Sequence, residues 1–268
     1  EFFGEIGASI GKYEMAHKKE SIYAVGFLDA IWTTLFLMII AFLRNADFVF
    51  SFQSLPTFIT RAVLEVVLVF VSIHAVLKAD RSTFSFLRTL TIPLLLVVDI
   101  ALGYNISLLQ IIGTSIAVIA LLILFLNHGL SKKGKVLSVL SAIIAVATIS
   151  LYKYDITHFN SVEAEQILIC LIILVVLVIT AKIRNNENVF KSLTNKTFLF
   201  QSIMSGIASV FISFAYLFAP STIIATSKRS LEILASMVSG RTYFHEKHII
   251  VKLITFLLII TGIVLMVV

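Results

Sequence analysis

Leu168-Ile169-Cys170-Leu171-Ile172-Ile173-Leu174 opens an apolar run that reaches Ala181 without a charged side chain. A strand facing lipid alternates apolar and polar residues, and this run does not, so it reads as helix. Outward from it, Ile22 to Leu43, Leu108 to Leu126 and Ile249 to Val268 are similar stretches. At ~1.5 Å per residue they are long enough, or nearly so, to cross about 30 Å of hydrocarbon. Helices are the expected solution, because lipid offers no partner to an exposed backbone group.

Composition agrees. The chain has 268 residues, 59% hydrophobic and 13% charged, with a mean hydropathy of +1.04, far too apolar for a soluble globular domain. The net charge of +6 sits mostly in short connections between apolar runs, where it orients helices, so no nucleic-acid partner is expected. Cys170 is the one cysteine, which excludes a disulfide within the chain and a thiolate metal site. No leader pattern opens the chain and residue 1 is Glu, so the first helix is expected to be truncated.

Apolar segments fall at roughly 1–16, 22–43, 56–77, 82–103, 107–126, 136–154, 162–181, 197–218, 222–243 and 248–268. The expected fold is therefore an all-α integral membrane protein of about ten transmembrane helices with short connections. Lys12-Tyr13-Glu14-Met15-Ala16-His17 in the first half and Lys153-Tyr154-Asp155-Ile156-Thr157-His158 in the second say nearly the same thing. At almost the same offset, Ser85, Arg88, Ile92 and Asp99 correspond to Ala225, Lys228, Glu232 and Ser239. The chain reads as one five-helix unit written twice, over 1–130 and 131–268. An odd number of helices per copy turns the second copy upside down in the membrane, as in transporters built from inverted repeats.

Lys and Arg divide unevenly between the two sets of loops. One holds Lys18, Lys19, Lys78, Arg81, Lys132, Lys133, Lys135, Lys182, Arg184, Lys191, Lys196, Arg241 and Lys247, and the other Arg44 and Arg61. The richer set is expected on the cytoplasmic side, which places both termini on the opposite side.

Ser227-Lys228-Arg229-Ser230, followed by Gly240, Phe244, Glu246 and Thr261-Gly262-Ile263-Val264-Leu265, resembles the EamA-like branch of the drug/metabolite transporter superfamily. Pro93, Gly103 and Ile106-Ser107-Leu108-Leu109-Gln110 look like its first-half pattern, with Tyr104 and Asn105 standing where that family carries a glutamate. The resemblance implies two five-helix halves around a central cavity and alternating access. It also implies cytoplasmic termini, opposite to the charge census.

An ionisable group at the bilayer centre costs at least ~2.5–3.5 kcal/mol on insertion scales, so each one asks for a function or a partner. Helical spacing puts Glu1, Glu5, Ser9 and Lys12 on one stripe, with Gly7 and Gly11 on another. Ser85, Arg88 and Asp99 share a face that Pro93 bends. Lys228 and Glu232, at i, i+4, form a natural ion pair on the face that also carries Ser239. Arg61, Glu65 and Ser72 recur at spacings of four and seven, and the repeat matches Arg61 and Glu65 with Gln201 and Ser205. The expected substrate-binding set is Glu5, Lys12, Ser72, Arg88, Lys153, Gln201, Ser205, Lys228 and Glu232. Glu65 is the proton-coupling candidate, because a carboxyl in low dielectric holds its proton toward neutral pH.

Asp155 and His158 are expected to be interfacial and solvated. Glu163 and Glu165 suit the positive end of the seventh segment's dipole in water, while Asp29 has no evident role. Tyr13, Trp32 and Tyr154 read as interface anchors. His245-Glu246-Lys247-His248 spaces its histidines by three, where a zinc helix needs four, and no nucleotide loop or nucleophile elbow appears.

The sequence thus points to a permease of the inner (cell) membrane. It would move a small polar metabolite by secondary active transport, without a cofactor or metal and without acting as an enzyme. Its partners would be that small molecule and membrane lipid, and it would act as a monomer or homodimer. The five cations Lys12, Arg88, Lys153, Lys228 and Arg229 lean toward an anionic or zwitterionic cargo. The other reading is a membrane enzyme or accessory protein acting on lipid-linked substrates.

Overall fold

A computed structural model describes residues 21–44, 48–79, 87–128, 134–194 and 196–244, with Phe84 and scattered positions between 254 and 265. Within them the chain is all-helical and has no strand. The helices are α1 (Ile22–Leu43), α2 (Leu55–Lys78), α3 (Thr91–Ala101), α4 (Leu108–His128), α5 (Lys135–His158), α6 (Val162–Asn185), α7 (Lys196–Ala215) and α8 (Ser221–Phe244). Short 3-10 turns at Phe52–Ser54 and Val189–Thr194 precede α2 and α7. Segment 1–16 lies outside the described residues, and the described positions of 248–268 are helical.

Local chemistry places the helix ends. Ser21 caps α1 by accepting from the Ala24 N–H at 3.1 Å, and Ser161 caps α6 by accepting from Ala164 at 3.2 Å. At α4 the Ser107 N–H donates to Gln110 Oε1 at 3.0 Å and the Gln110 N–H to Ser107 Oγ at 3.2 Å, a reciprocal capping box. The end of α3 needs a left-handed residue and finds Gly103, φ 78°, with Tyr104 N–H returning to the Asp99 carbonyl at 3.0 Å.

The segment expected as one bent helix over 82–103 is divided, and α3 begins only at Thr91. Pro93 has no N–H for the Thr89 carbonyl. That carbonyl takes Ile92 N–H instead at 2.9 Å, so the chain tightens into a turn at Thr89–Leu90.

The chain divides into two compact units, each drawing on both halves of the sequence. One contains α3, α4 and α8 with 71–78 of α2 and 135–150 of α5; the other contains α1, α6 and α7 with 55–70 of α2 and 151–158 of α5. In the first, Leu95, Val146 and Ala225 form a buried core. In the second, α1 packs on α6 and α7 through Tyr23, Phe27, Leu28 and Leu177, and through Leu37, Ile167 and Val210.

Burial inverts the pattern of a soluble protein. Arg61, Asp155 and Glu165 are 0–2% exposed, whereas Val175, Ile179 and Ile183 on the outer stripe of α6 are 51–77% exposed. Among the described residues four spans, Tyr23–Leu43, Phe52–Ala75, Lys135–His158 and Val162–Asn185, are long and apolar enough to cross a membrane.

α1 and α7 approach closely at Gly206, where a Cβ would stand 2.9 Å from Trp32 Cβ and 3.1 Å from the Thr33 backbone nitrogen. Neither neighbour is the free end of a flexible side chain. Gly206→Ala is therefore expected to destabilise the protein by about 1–3 kcal/mol, read as a lower thermal unfolding midpoint in detergent. An unchanged midpoint would mean that the two helices do not meet there.

Candidate functional site

Charge in the unit built on α1, α6 and α7 is organised by Arg61. Its Nη1 donates to Glu165 Oε1 at 2.7 Å, its Nη2 donates to Gln166 Oε1 at 2.7 Å, and Glu65 stands 3.9 Å away. The Tyr152 ring covers the guanidinium at 4.4 Å. Glu165 also accepts from Asn160 Nδ2 at 2.6 Å, and Gln166 donates to Ser213 Oγ at 2.8 Å. Beside this network Thr57 donates to Asp155 at 2.6 Å, Lys153 Nζ donates to the Tyr216 carbonyl, and Arg44 lies 3.5 Å from Glu163.

The readings of Asp155, Glu163 and Glu165 as solvated are corrected here. Asp155, Glu163 and Glu165 are not solvated: they are 0%, 5% and 0% exposed. The two glutamates do stand in the first turn of α6, where the helix dipole favours them, but tertiary partners cover that turn. Glu65 is half-buried beside Arg61, which takes its short ion pair from Glu165.

In the other unit the predicted residues do gather. Arg88 Nη1 donates to Ser72 Oγ at 3.3 Å, and its guanidinium lies 5.6 Å from the Phe84 ring centroid. On α8, Glu232 is held by Arg229, an i, i+3 partner that the i, i+4 reading with Lys228 did not give it. Lys228 and Arg88 are close enough to act on the same carboxylate electrostatically. Asp99 is buried and ties α3 to α8, accepting from both the backbone N–H and the hydroxyl of Thr222 at 2.7 Å.

Of the predicted set, Ser72, Arg88, Lys228 and Glu232 therefore belong to one unit. Lys153 and Ser205 belong to the other, where Ser205 makes a side-chain hydrogen bond to Asp29. Arg61 and Ser72 share a helix but fall in different units. Glu5 and Lys12 lie outside the described residues, as does the side chain of Gln201. Sequence reasoning missed Asn160, Gln166 and Tyr152, whose partners are remote in the chain. Asp29 was visible as a charge inside an apolar run.

No family model matches the chain, and no curated protein matches it. Among solved structures it is similar to one described as "Crystal structure of protein", with TM-score 0.72 and 12% identity over 99% of this chain and 97% of that one. At that identity the likeness establishes a shared fold.

Removing Glu165 would leave the Arg61 guanidinium buried without its short ion pair. Glu165→Leu is expected to cost about 3–5 kcal/mol, and Arg61→Met/Glu165→Leu to regain most of it, measured as unfolding midpoints in detergent. A double variant no better than the single one would show that the guanidinium is stabilised without Glu165.

Proposed function

We propose that the chain is a secondary active transporter of the drug/metabolite transporter kind, with two inverted five-helix repeats and about ten spans in the cell (inner) membrane. It moves a small polar metabolite by alternating access, driven by protons or by exchange. The cargo is amino acid-like, or an anionic sugar phosphate or nucleotide sugar.

One observation carries this reading. Arg88 and Ser72 from the first half of the sequence, and Lys228, Arg229 and Glu232 from the second, collect in one compact unit of an otherwise apolar helical body. An ionisable group inside an apolar helix bundle is by default a candidate for binding. Arg and Lys gathered around one carboxylate favour a ligand with a negative group.

Helix starts support the duplication. α1 begins at Ile22 and α6 at Val162, both behind the same serine cap, while α2 begins at Leu55 and α7 at Lys196, both after 3-10 turns. The offset between the members of each pair is nearly constant. Under this reading Glu65, half-buried within reach of Arg61, is the group that exchanges the coupling proton.

Proteoliposomes test the proposal. Counterflow or accumulation of a chemically unchanged solute is expected, with Arg88→Ala and Lys228→Ala each lowering uptake about tenfold or more while the protein stays folded. Glu65→Gln is expected to abolish dependence on a pH gradient. A solute recovered chemically altered, or uptake indifferent to both cation variants, would overturn the transporter reading or its site.

A further inference from the structure

Asp29 sits on the eighth position of α1, about 10 Å along the helix from its start. Its Oδ1 is sealed from the surface and has no hydrogen-bond partner, while its carboxyl meets the Ser205 side chain of α7. Three residues on, Trp32 Nε1 is also buried and unpartnered. The neighbouring hydroxyls are committed elsewhere: Thr33 donates to the Asp29 carbonyl at 2.8 Å and Thr34 to the Ala30 carbonyl at 2.7 Å. Three of this unit's cations are committed elsewhere: Arg61 to Glu165, Arg44 to Glu163 and the Phe214 ring, and Lys153 to the Tyr216 carbonyl.

An acceptor and a donor without partners therefore belong to residues on one face of α1, because residues three apart on a helix share a face. Buried polar groups in folded proteins are almost always paired, so two such groups together mark a place where a partner is to be supplied. The wall around them is aromatic and tight. Trp32 and Phe36 rings lie 5.7 Å apart, and Gly206 leaves no room for a side chain against Trp32. The positions of α6 that the repeat pairs with Asp29 and Trp32 hold Ile169 and Ile172, both packed in an apolar core, so helix packing alone does not call for the polar pair.

We infer that α1 and α7 hold a subsite for an ammonium group carrying an oxygen acceptor on a neighbouring carbon. The ammonium N–H donates to Asp29 Oδ1, the oxygen accepts from Trp32 Nε1–H, and the indole and Phe36 rings flank the cation. A proton alone would neutralise Asp29 and leave the indole N–H without an acceptor. A metal ion would find one carboxylate and one hydroxyl, and no cluster of metal-binding side chains occurs among the described residues. That the ligand is the transported cargo rests on the carrier reading; the binding does not.

Trp32 is the chain's one tryptophan, so its fluorescence reports on this site directly. The full chain in detergent would be titrated with 2-amino-1-propanol, with isopropylammonium, which lacks the oxygen, and with 1-propanol, which lacks the ammonium. A saturable change is expected for the amino alcohol, about tenfold weaker for isopropylammonium and absent for 1-propanol. Asp29→Asn is expected to weaken the amino alcohol about tenfold or more. Equal responses to all three compounds, no saturable response to the amino alcohol, or unchanged binding by Asp29→Asn would overturn the assignment. Should Asp29→Asn fail to fold, the three-compound series on the unaltered chain decides by itself. Binding without transport would remove the carrier role and keep the site; transport without such binding would remove the site alone.

Discussion

A guanidinium withdrawn from water in an apolar body has to be matched, and Arg61 shows how much structure that requires. Its charge needs Glu165 at 2.7 Å; Glu165, fully buried, needs a second donor and takes Asn160 at 2.6 Å. The Asn160 side-chain oxygen accepts from the Ser51 N–H at 2.9 Å, and the Ser161 N–H reaches the Val49 carbonyl at 2.9 Å, so the segment entering α2 is fixed to the one entering α6. Tyr152 covers the guanidinium and donates its own hydroxyl to the Ser213 carbonyl at 2.9 Å, which brings in α5 and α7. One charge thus sets the register of four helices. A network of this kind fails as a whole when one member is removed, because each remaining polar atom is left in low dielectric.

Under the proposed duplication, equivalent positions have taken different work. Gln201 and Ser205 are the counterparts of Arg61 and Glu65, yet Ser205 meets the lone Asp29 where Glu65 stands near a cation. The α2/α6 pair joins its polar positions in a structural network. The α7/α1 pair, its equivalent under the duplication, leaves a carboxyl oxygen and an indole N–H without partners.

The all-helical character was legible because its determinants are local. Apolar runs, Ser21 and Ser161 caps, the Ser107/Gln110 box and Gly103 act within a turn or two of themselves, and the described helices other than α3 follow the expected segments closely. Charges were legible as a set, and Arg88, Ser72, Lys228 and Glu232 did meet. Which acid meets which base was not, since the Arg61–Glu165 contact spans 104 residues and the Thr57–Asp155 contact 98. A glutamate in the first turn of a helix reads the same whether water or an arginine faces it. Only the tertiary arrangement distinguishes the two. Pro93 shows the opposite case, where a local rule foresaw the bend and its severity came from the Thr89 carbonyl finding Ile92.

Electrostatics separates charges answered within the protein from those that the proposed function assigns to a ligand. Around Arg61 the guanidinium is met by Glu165, Gln166 and Glu65, and the charge is answered within the protein. Around Glu232 the balance runs the other way, with Arg229 in contact and Lys228 and Arg88 acting on the same carboxylate, an environment suited to a further negative group. The subsite inferred at Asp29 and Trp32, where a carboxyl oxygen and an indole N–H lack partners, asks instead for a cationic donor with an oxygen beside it. A sugar phosphate has no group that meets this second demand. An amino acid has one, because its ammonium and a carboxylate oxygen stand on neighbouring carbons, so the α1/α7 environment taken by itself favours the amino acid-like member of the classes proposed.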